Sequence, residues 1–495
     1  MSDKQTAATL DRADPRNRRY VGVKETAAYV AFDMSQSFNI DGERDYFAQT
    51  ILKIDLPLIS LAKGINSVWD IANDLFTGAI VDRTRTRWGK FKPYLMFLAI
   101  PGTILALIYW LLPLFYGGTD PTNMHKFAAY LLLQIVSEGI GTFHGMARVG
   151  IQATITPFPA DRTRLITVAN LVSGALGEKL PGQILNLLIR QMRKGKLGGA
   201  SKLPKLFTSM GVVTTIIGGA GAFWFFYVCK ERINQSEEKP TIRQSINTIL
   251  HNKPILLLTL SETLGGLDVG VNKSDYCRDV LDDAFLKEIV GIPAVLINPV
   301  SYAMVPWFRR HFSDRTLFIL GNNCISLMNL PVFLFGCIGG KKKGLYKKVL
   351  PMAIAMTLHE SMFTFLFGVR SVIPTEMRNE SMDYCEWKNG YRGEGMISIT
   401  KGLSSKLTGA ISGVIGPLVK SWFHYDQDAF TAGKQQSDET KFALFTLYTL
   451  IPAVFTVLSS IPMLFYKLDG EERDRMYAEL QERRAAMTAI ESDEA

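Results

Sequence analysis

Cysteine is scarce and scattered in this chain. Its 495 residues include five, Cys229, Cys277, Cys324, Cys337 and Cys385. None stands in a CxxC pair, so neither a disulfide framework nor a thiolate zinc site is implied. None of the six histidines lies in an HExxH or HxxxH pattern, which removes the usual metallohydrolase signature. An apolar signal-peptide core is missing as well: the first twenty residues, MSDKQTAATLDRADPRNRRY, are too polar for one, and the N-terminus is expected in the cytoplasm. No RNA-binding or zinc-finger motif accompanies the excess of 55 Lys and Arg over 46 Asp and Glu. The formal charge of +9 therefore reads as attraction to an anionic lipid surface and not to nucleic acid.

Long apolar blocks are what the chain has. Tyr94 to Leu114, Gly211 to Val228 and Phe442 to Phe465 each approach the roughly 20 residues that span a bilayer. Between charged punctuation the blocks fall at 22–52, 56–81, 93–116, 127–150, 165–190 and 209–230. After them come 253–272, 285–308, 314–338, 347–370, 395–423 and 441–467. The polar stretch Lys230 to Lys253 divides them six and six. An all-α integral membrane protein of twelve transmembrane helices follows, in two pseudo-symmetric six-helix bundles as in two-bundle transporters. The expected organisation is a cytoplasmic tail over 1–21, bundles over 22–230 and 253–467, a cytoplasmic linker over 231–252 and a cytoplasmic tail over 468–495. The last tail, with LDGEERDRMYAELQERR, reads as a solvated helix. In the first block Asp41, Glu43, Arg44 and Asp45 either break the helix or line a cavity, since a charge at mid-membrane costs at least a few kcal/mol.

Lysine and arginine in short loops set the orientation. Alternating spans put Arg83 to Lys92, Arg162/Arg164, Lys230/Arg232, Arg309/Arg310/Arg315 and Arg378/Lys388/Arg392 in the cytoplasm with both termini, while Arg190 to Lys205 and Lys341 to Lys348 are equally basic on the other side. The membrane expected is the plasma (inner) membrane.

Chemistry concentrates in Asn66 to Tyr94, NSVWDIANDLFTGAIVDRTRTRWGKFKPY. Asp70 and Asp74, four apart, share one helix face with Asn73 and Thr77 close by. Two carboxylates in hydrocarbon need a cation or a proton, and oxygen ligands with amide and hydroxyl partners suit a small hard cation; the alternative is a membrane-edge position in contact with water or an arginine. Further on, Gly78, Asp82 and Arg83 form a GxxxDR pattern ahead of more basic residues, placing an Asp–Arg pair at a cytoplasmic helix end. That pattern resembles the loop signature of the major facilitator superfamily.

The whole stretch WDIANDLFTGAIVDRTRTRWGKFKPY resembles the glycoside-pentoside-hexuronide:cation symporter family, whose familiar member is the melibiose permease. Asp383 to Lys388 (DYCEWK) is similar to that family's DYGEWK stretch, and Thr156 to Arg164 (TPFPADRTR) to its loop after helix four. The resemblance covers about Val21 to Leu468. It implies a major facilitator-type fold and cation-coupled sugar transport, with a coupling cation (sodium, lithium or proton) and no other cofactor. It further implies a cation site of Asp70, Asn73, Asp74 and Thr142, with Lys406 as the coupling lysine and Asp33 as a sugar-hydroxyl acceptor. A buried carboxylate suits a polyol because it accepts several hydroxyls.

Departures fall on the sugar side. Gly145 and Val149 stand where the familiar member has Asp and Trp, Asn170 at a helix-five arginine position and Ser371 at a helix-ten tryptophan position. A galactoside pocket of that kind is not reproduced. Gln36, Arg148, Gln152 and Asn170 join Asp33 as candidate substrate contacts, with Glu138, His144, Glu178, Glu262, Asp268, His359 and Glu360 as further polar residues in the blocks. Arg148 stands out, because a guanidinium takes a carboxylate bidentately and would favour an acidic sugar, unless it snorkels to the cytoplasm. The expectation is thus a monomeric secondary symporter of a sugar-like substrate, with no enzyme activity. Transport of another solute such as a lysolipid, or a non-transporting membrane sensor, are the alternatives.

Overall fold

A computed structural model of the full chain describes residues 21–84, 86–118, 120–156, 159–228, 252–389 and 394–493. Among these residues the regular structure is helical, with no strand. The first half holds α1 (Val23–Ser37), α2 (Leu56–Arg83), α3 (Ala99–Tyr116), α4 (Met124–Thr154), a three-part α5 and α6 (Leu203–Val228). The parts of α5 are Pro159–Val172, a π-helical turn Ser173–Glu178 and Leu180–Arg193. The second half holds α7 (Lys253–Gly266), α8 (Ile292–His311), α9 (Asp314–Gly336), a two-part α10 (Val349–Phe365 and Phe367–Asn389), α11 (Glu394–Trp422) and α12 (Asp438–Leu464). A last helix, α13, runs Glu471–Asp493. Side chains start several of them: Asn123, Asn252, Ser313 and Ser437 accept hydrogen bonds from the backbone N–H groups of Lys126, Ile255, Thr316 and Thr440.

Six of the described helices are long and apolar enough to cross a membrane by length and composition. These are α3, α6, α8 (with its lead-in from Leu286), α9, α10 and α12. The others are cut short, as α1 and α7 are, or carry the polar groups singled out above, as α2, α4, α5 and α11 do.

The chain divides into two compact units, one of Met1–Glu237 with Asp426–Lys434, the other of Glu238–Tyr425 with Gln435–Ala495. In the first, α1 and α3 pack on α6, α2 packs on α4, and α1 also meets α5. Its core joins Ala28, Tyr29, Phe32, Ala147, Ile151 and Phe225. Gly221 is required where α6 meets α1: a Cβ there would overlap Ser35. The short segment Asp426–Lys434, between α11 and α12, is held by Gln427, whose side-chain amide donates to the carbonyls of Gln49 and Ile54 at 2.8 and 2.7 Å.

The second unit repeats the pattern, with α7 and α9 on α12, α8 on α10 and α7 on α11. The likeness extends to single hydrogen bonds. In the first unit a π turn at Phe47–Ile51 ends with Leu52 N–H bonded to Phe47 O (3.0 Å), Lys53 at φ 54° and Ile54 N–H bonded to Ala48 O (3.2 Å). Residues 229 further on do the same: a π turn at Tyr276–Val280, Leu281 on Tyr276 O (3.3 Å), Asp282 at φ 55°, Asp283 on Cys277 O (2.9 Å). The polar residues of the first block therefore belong to a turn after the helix breaks at Ser37. There Arg44 pairs with Asp41 (2.8 Å) and Lys63 with Asp45 (2.5 Å).

Two elements differ from expectation. Helix α10 continues past 370 as far as Asn389, and α13 is not solvated all round. Met476 and Leu480 are buried in the core of the second unit. Tyr477 donates to Asp383 (3.4 Å), and the Trp387 indole donates to Glu479 (2.6 Å). Arg473 pairs with Glu380 (2.7 Å). The expected N-terminal tail through Tyr20 and linker residues 231–251 lie outside the described residues.

Candidate functional site

The first unit joins α1, α4 and α5 through one carboxylate. Asp33, 2% exposed, accepts the Nε of Arg148 on its Oδ1 at 3.1 Å, with Nη2 on the same oxygen. Its Oδ2 accepts the hydroxyl of Ser173 at 2.6 Å. Ser173 is the first residue of the π turn in α5, and that wide turn brings its hydroxyl to α1. A buried charge needs a partner and hydrogen bonds on its remaining lone pairs, and Asp33 has both. Arg148 is therefore no cytoplasmic snorkel; the pair has no net charge. Gln36, one turn on, gives its amide to Gly218 O of α6 at 2.9 Å. Asn170 is exposed. Gln152 lies on α4 with its side chain outside the described residues.

The α2–α4 contact carries the second group. Asn73 is buried between half-buried Asp70 and Asp74. Its Oδ1 accepts the Thr77 hydroxyl at 3.3 Å, and its Nδ2 is buried without a hydrogen-bond partner. Gly139 of α4 faces it, a Cβ there falling 3.9 Å from Asn73 Oδ1. Thr142, three residues along and so on the same face of α4, donates to Glu138 O at 3.1 Å and keeps its lone pairs. The backbone of Gly78, Asp82 and Arg83 belongs to α2, and their side chains lie outside the described residues.

In the second unit Glu262 of α7 pairs with Arg378 of α10, and Thr263 donates to Ser404 of α11 at 3.1 Å. Lys406 is half-buried, two residues beyond Ser404. The ion pair repeats the first unit's, Glu262 lying 229 residues after Asp33 and Arg378 230 after Arg148, while Ser404, 231 after Ser173, meets the neighbouring Thr263 and not the carboxylate. Sequence reasoning missed Ser173 and Arg378. Their offsets of 230 and 231 residues from their counterparts become a signal only once the ion pairs are known. Arg370, also missed, sits on α10 with its guanidinium over the Phe363 ring, 5.5 Å from the centroid. Beside it Tyr302 of α8 donates to Ser371 at 3.1 Å. Among the described residues no cluster of His, Cys, Asp and Glu has the form of a metal centre.

The profile of the MFS/sugar transport protein family matches residues 26–470. The chain belongs to that family. Its members are transporters and not enzymes, and this one is a multi-pass membrane protein. The chain is 24% identical to the isoprimeverose transporter of Lactiplantibacillus pentosus, over 91% of this chain and 88% of that one. It is 23% identical to the glucuronide carrier protein homolog of Escherichia coli strain K12, over 86% and 88%. Among solved structures, the nucleoside transporter NupG superposes with a TM-score of 0.55 at 11% identity, over 90% of this chain and 99% of that one. The inward-open xylose transporter XylE of E. coli gives 0.52 at 14%, over 91% and 96%. Identities that low speak for the fold alone, which is the MFS transporter fold.

Proposed function

We propose that this chain is a cation-coupled symporter of a sugar or glycoside, working by alternating access in the plasma membrane as a monomer. Twelve spans would form two bundles, over 22–230 and 253–467, with the linker and both termini in the cytoplasm. The relatives named above as sugar and glucuronide carriers support the substrate class. One observation supports the coupling: Asn73, between Asp70 and Asp74 on α2, is buried opposite Gly139 of α4, three residues before Thr142, and its amide nitrogen is unused. Amide oxygen and nitrogen exchange places at no cost to Thr77, whose hydroxyl both donates and accepts. The exchanged rotamer aims a carbonyl oxygen at the unused position, giving a small hard cation two carboxylates, an amide oxygen and a hydroxyl.

In this reading Asp33, Gln36, Arg148, Gln152 and Asn170 meet the substrate, Lys406 answers the charge of the carboxylates when no cation is bound, and Gly78, Asp82 and Arg83 form a cytoplasmic gate. Cation and substrate must raise each other's affinity by the same factor. Calorimetry on purified protein tests this with neutral glycosides, pentosides and hexuronates, with and without sodium, at two pH values. The expectation is one sugar whose binding is tightened by sodium or by low pH, with the tightening abolished in Asp74→Asn. Undiminished tightening in that variant would remove the cation from these carboxylates; no binding of any sugar would leave a non-sugar solute as the cargo.

A further inference from the structure

Three arginines lie on the fourth helices of the two units, and two of them are spoken for. Arg148 is neutralised by Asp33, and Arg378 by Glu262. Arg370 is different: its charged end lies against the face of Phe363, and no carboxylate pairs with it among the described residues. Its depth follows from its neighbours. Gly321 of α9, seven residues inside the start of that helix at Asp314, faces α10: a Cβ there would fall 3.7 Å from the Val369 side chain and 3.9 Å from the Arg370 backbone nitrogen. At about 1.5 Å per residue that is roughly 10 Å beyond the α8–α9 junction. The guanidinium does not turn back toward that junction. Phe363 precedes Arg370 by seven residues, so the side chain runs along α10 away from its Asn389 end and further inward.

A cation in hydrocarbon without a counter-charge is costly, and such residues mark substrate paths. Contact with an aromatic face recovers only part of that cost, and a guanidinium stacked on a ring still presents its donor edge to a planar anion.

Resting on the symport reading above, we infer that Arg370 is the specificity residue for an anionic substrate group, taking the carboxylate of a sugar acid. The role that the sequence suggested for Arg148 passes to Arg370, because Arg148 already holds Asp33 and offers no net charge. The chain then binds acidic sugars more tightly than neutral ones.

The test is calorimetry on the full-length protein in phosphatidylcholine nanodiscs with D-glucuronate and D-glucose as probes, comparing wild type, Arg370→Gln and Arg370→Lys. Wild type is expected to prefer glucuronate. Arg370→Gln is expected to weaken glucuronate about 20-fold or more while changing glucose less than twofold, and Arg370→Lys to recover part of the loss. Equal weakening of both probes makes Arg370 structural and overturns the inference, as does an unchanged glucuronate affinity or a wild type that binds neither probe. Nanodiscs containing phosphatidylglycerol separate the other source of anions: competition by that lipid in wild type but not in Arg370→Gln would make the occupant a headgroup and also overturn it. Failure of symport itself is read separately, as an absence of ion-gradient-driven uptake into proteoliposomes, which leaves the binding comparison intact.

Discussion

Asp33 shows how one side chain can hold three helices. Its carboxylate ties α1 to Arg148 of α4 and Ser173 of α5, at 2% exposure. Removing one partner of a buried pair leaves the other charge uncompensated, at about 3–5 kcal/mol, whereas removing both can be nearly neutral. Arg148→Gln is therefore expected to lower the melting temperature of the purified protein, and Asp33→Asn on top of it to restore most of the loss. A double variant no more stable than Arg148→Gln alone would separate the two residues energetically. None of this was legible in the sequence, where Asp33 and Arg148 are 115 residues apart. The Asp70–Asp74 face was legible, because helical periodicity alone sets it. Ser173 shows the limit: only an irregular π turn brings it to Asp33, and no pattern of apolar residues announces such a turn.

Among the elements, the block boundaries were readable because apolar runs end at polar residues, so α2, α4, α9 and α12 lie within a few residues of expectation, while α6 starts six residues earlier than expected. The first block was harder, its polar residues belonging to a capping turn that has a twin 229 residues on. The final helix was misjudged as solvated because its mixed charge hides the few residues that dock. Met476 and Leu480 are buried, and Glu479 takes the indole of Trp387 in the DYCEWK stretch. Deleting 471–495 is expected to expose that indole and shift Trp387 fluorescence to the red, measured in a variant whose other six tryptophans are Phe. Glu479→Gln, which keeps an acceptor for the indole, is expected to shift it much less. An unchanged spectrum on deletion would mean that α13 does not shield the end of α10.

At the scale of the whole molecule, stability is expected to depend on pH through a buried acid outside the spanning helices. Asp279, in the turn between α7 and α8, is pushed up to about 6, by burial first and by Asp275 second, against the pull of Arg278, Lys420 and the Tyr425 hydroxyl. Lys420 is itself committed to Asp275 at 3.1 Å. With the folded value above the unfolded one, near 3.8, the protonated form favours the fold. That contribution is complete below about pH 4 and is lost as the pH rises through 6, on the order of 2–3 kcal/mol. Asp279→Asn is expected to melt above wild type at pH 7.5 and together with it at pH 4, in thermal unfolding scans. A difference that does not vary with pH would assign the effect to packing instead.

The repeat between the two halves is faithful in its ion pairs and turns, but not in the carboxylates. The residues 229 after Asp70 and Asp74 are Pro299 and Ala303, which can hold no ion. If coupling resides in those carboxylates, the stoichiometry is one ion per turnover. A single monovalent ion driven by 100 mV carries about 2.3 kcal/mol, which caps the accumulation of a neutral cargo near fiftyfold before any ion gradient is added. For a monoanion the two charges cancel across the membrane, so the voltage does no work and the chemical gradient of the ion alone sets how far the cell can concentrate it.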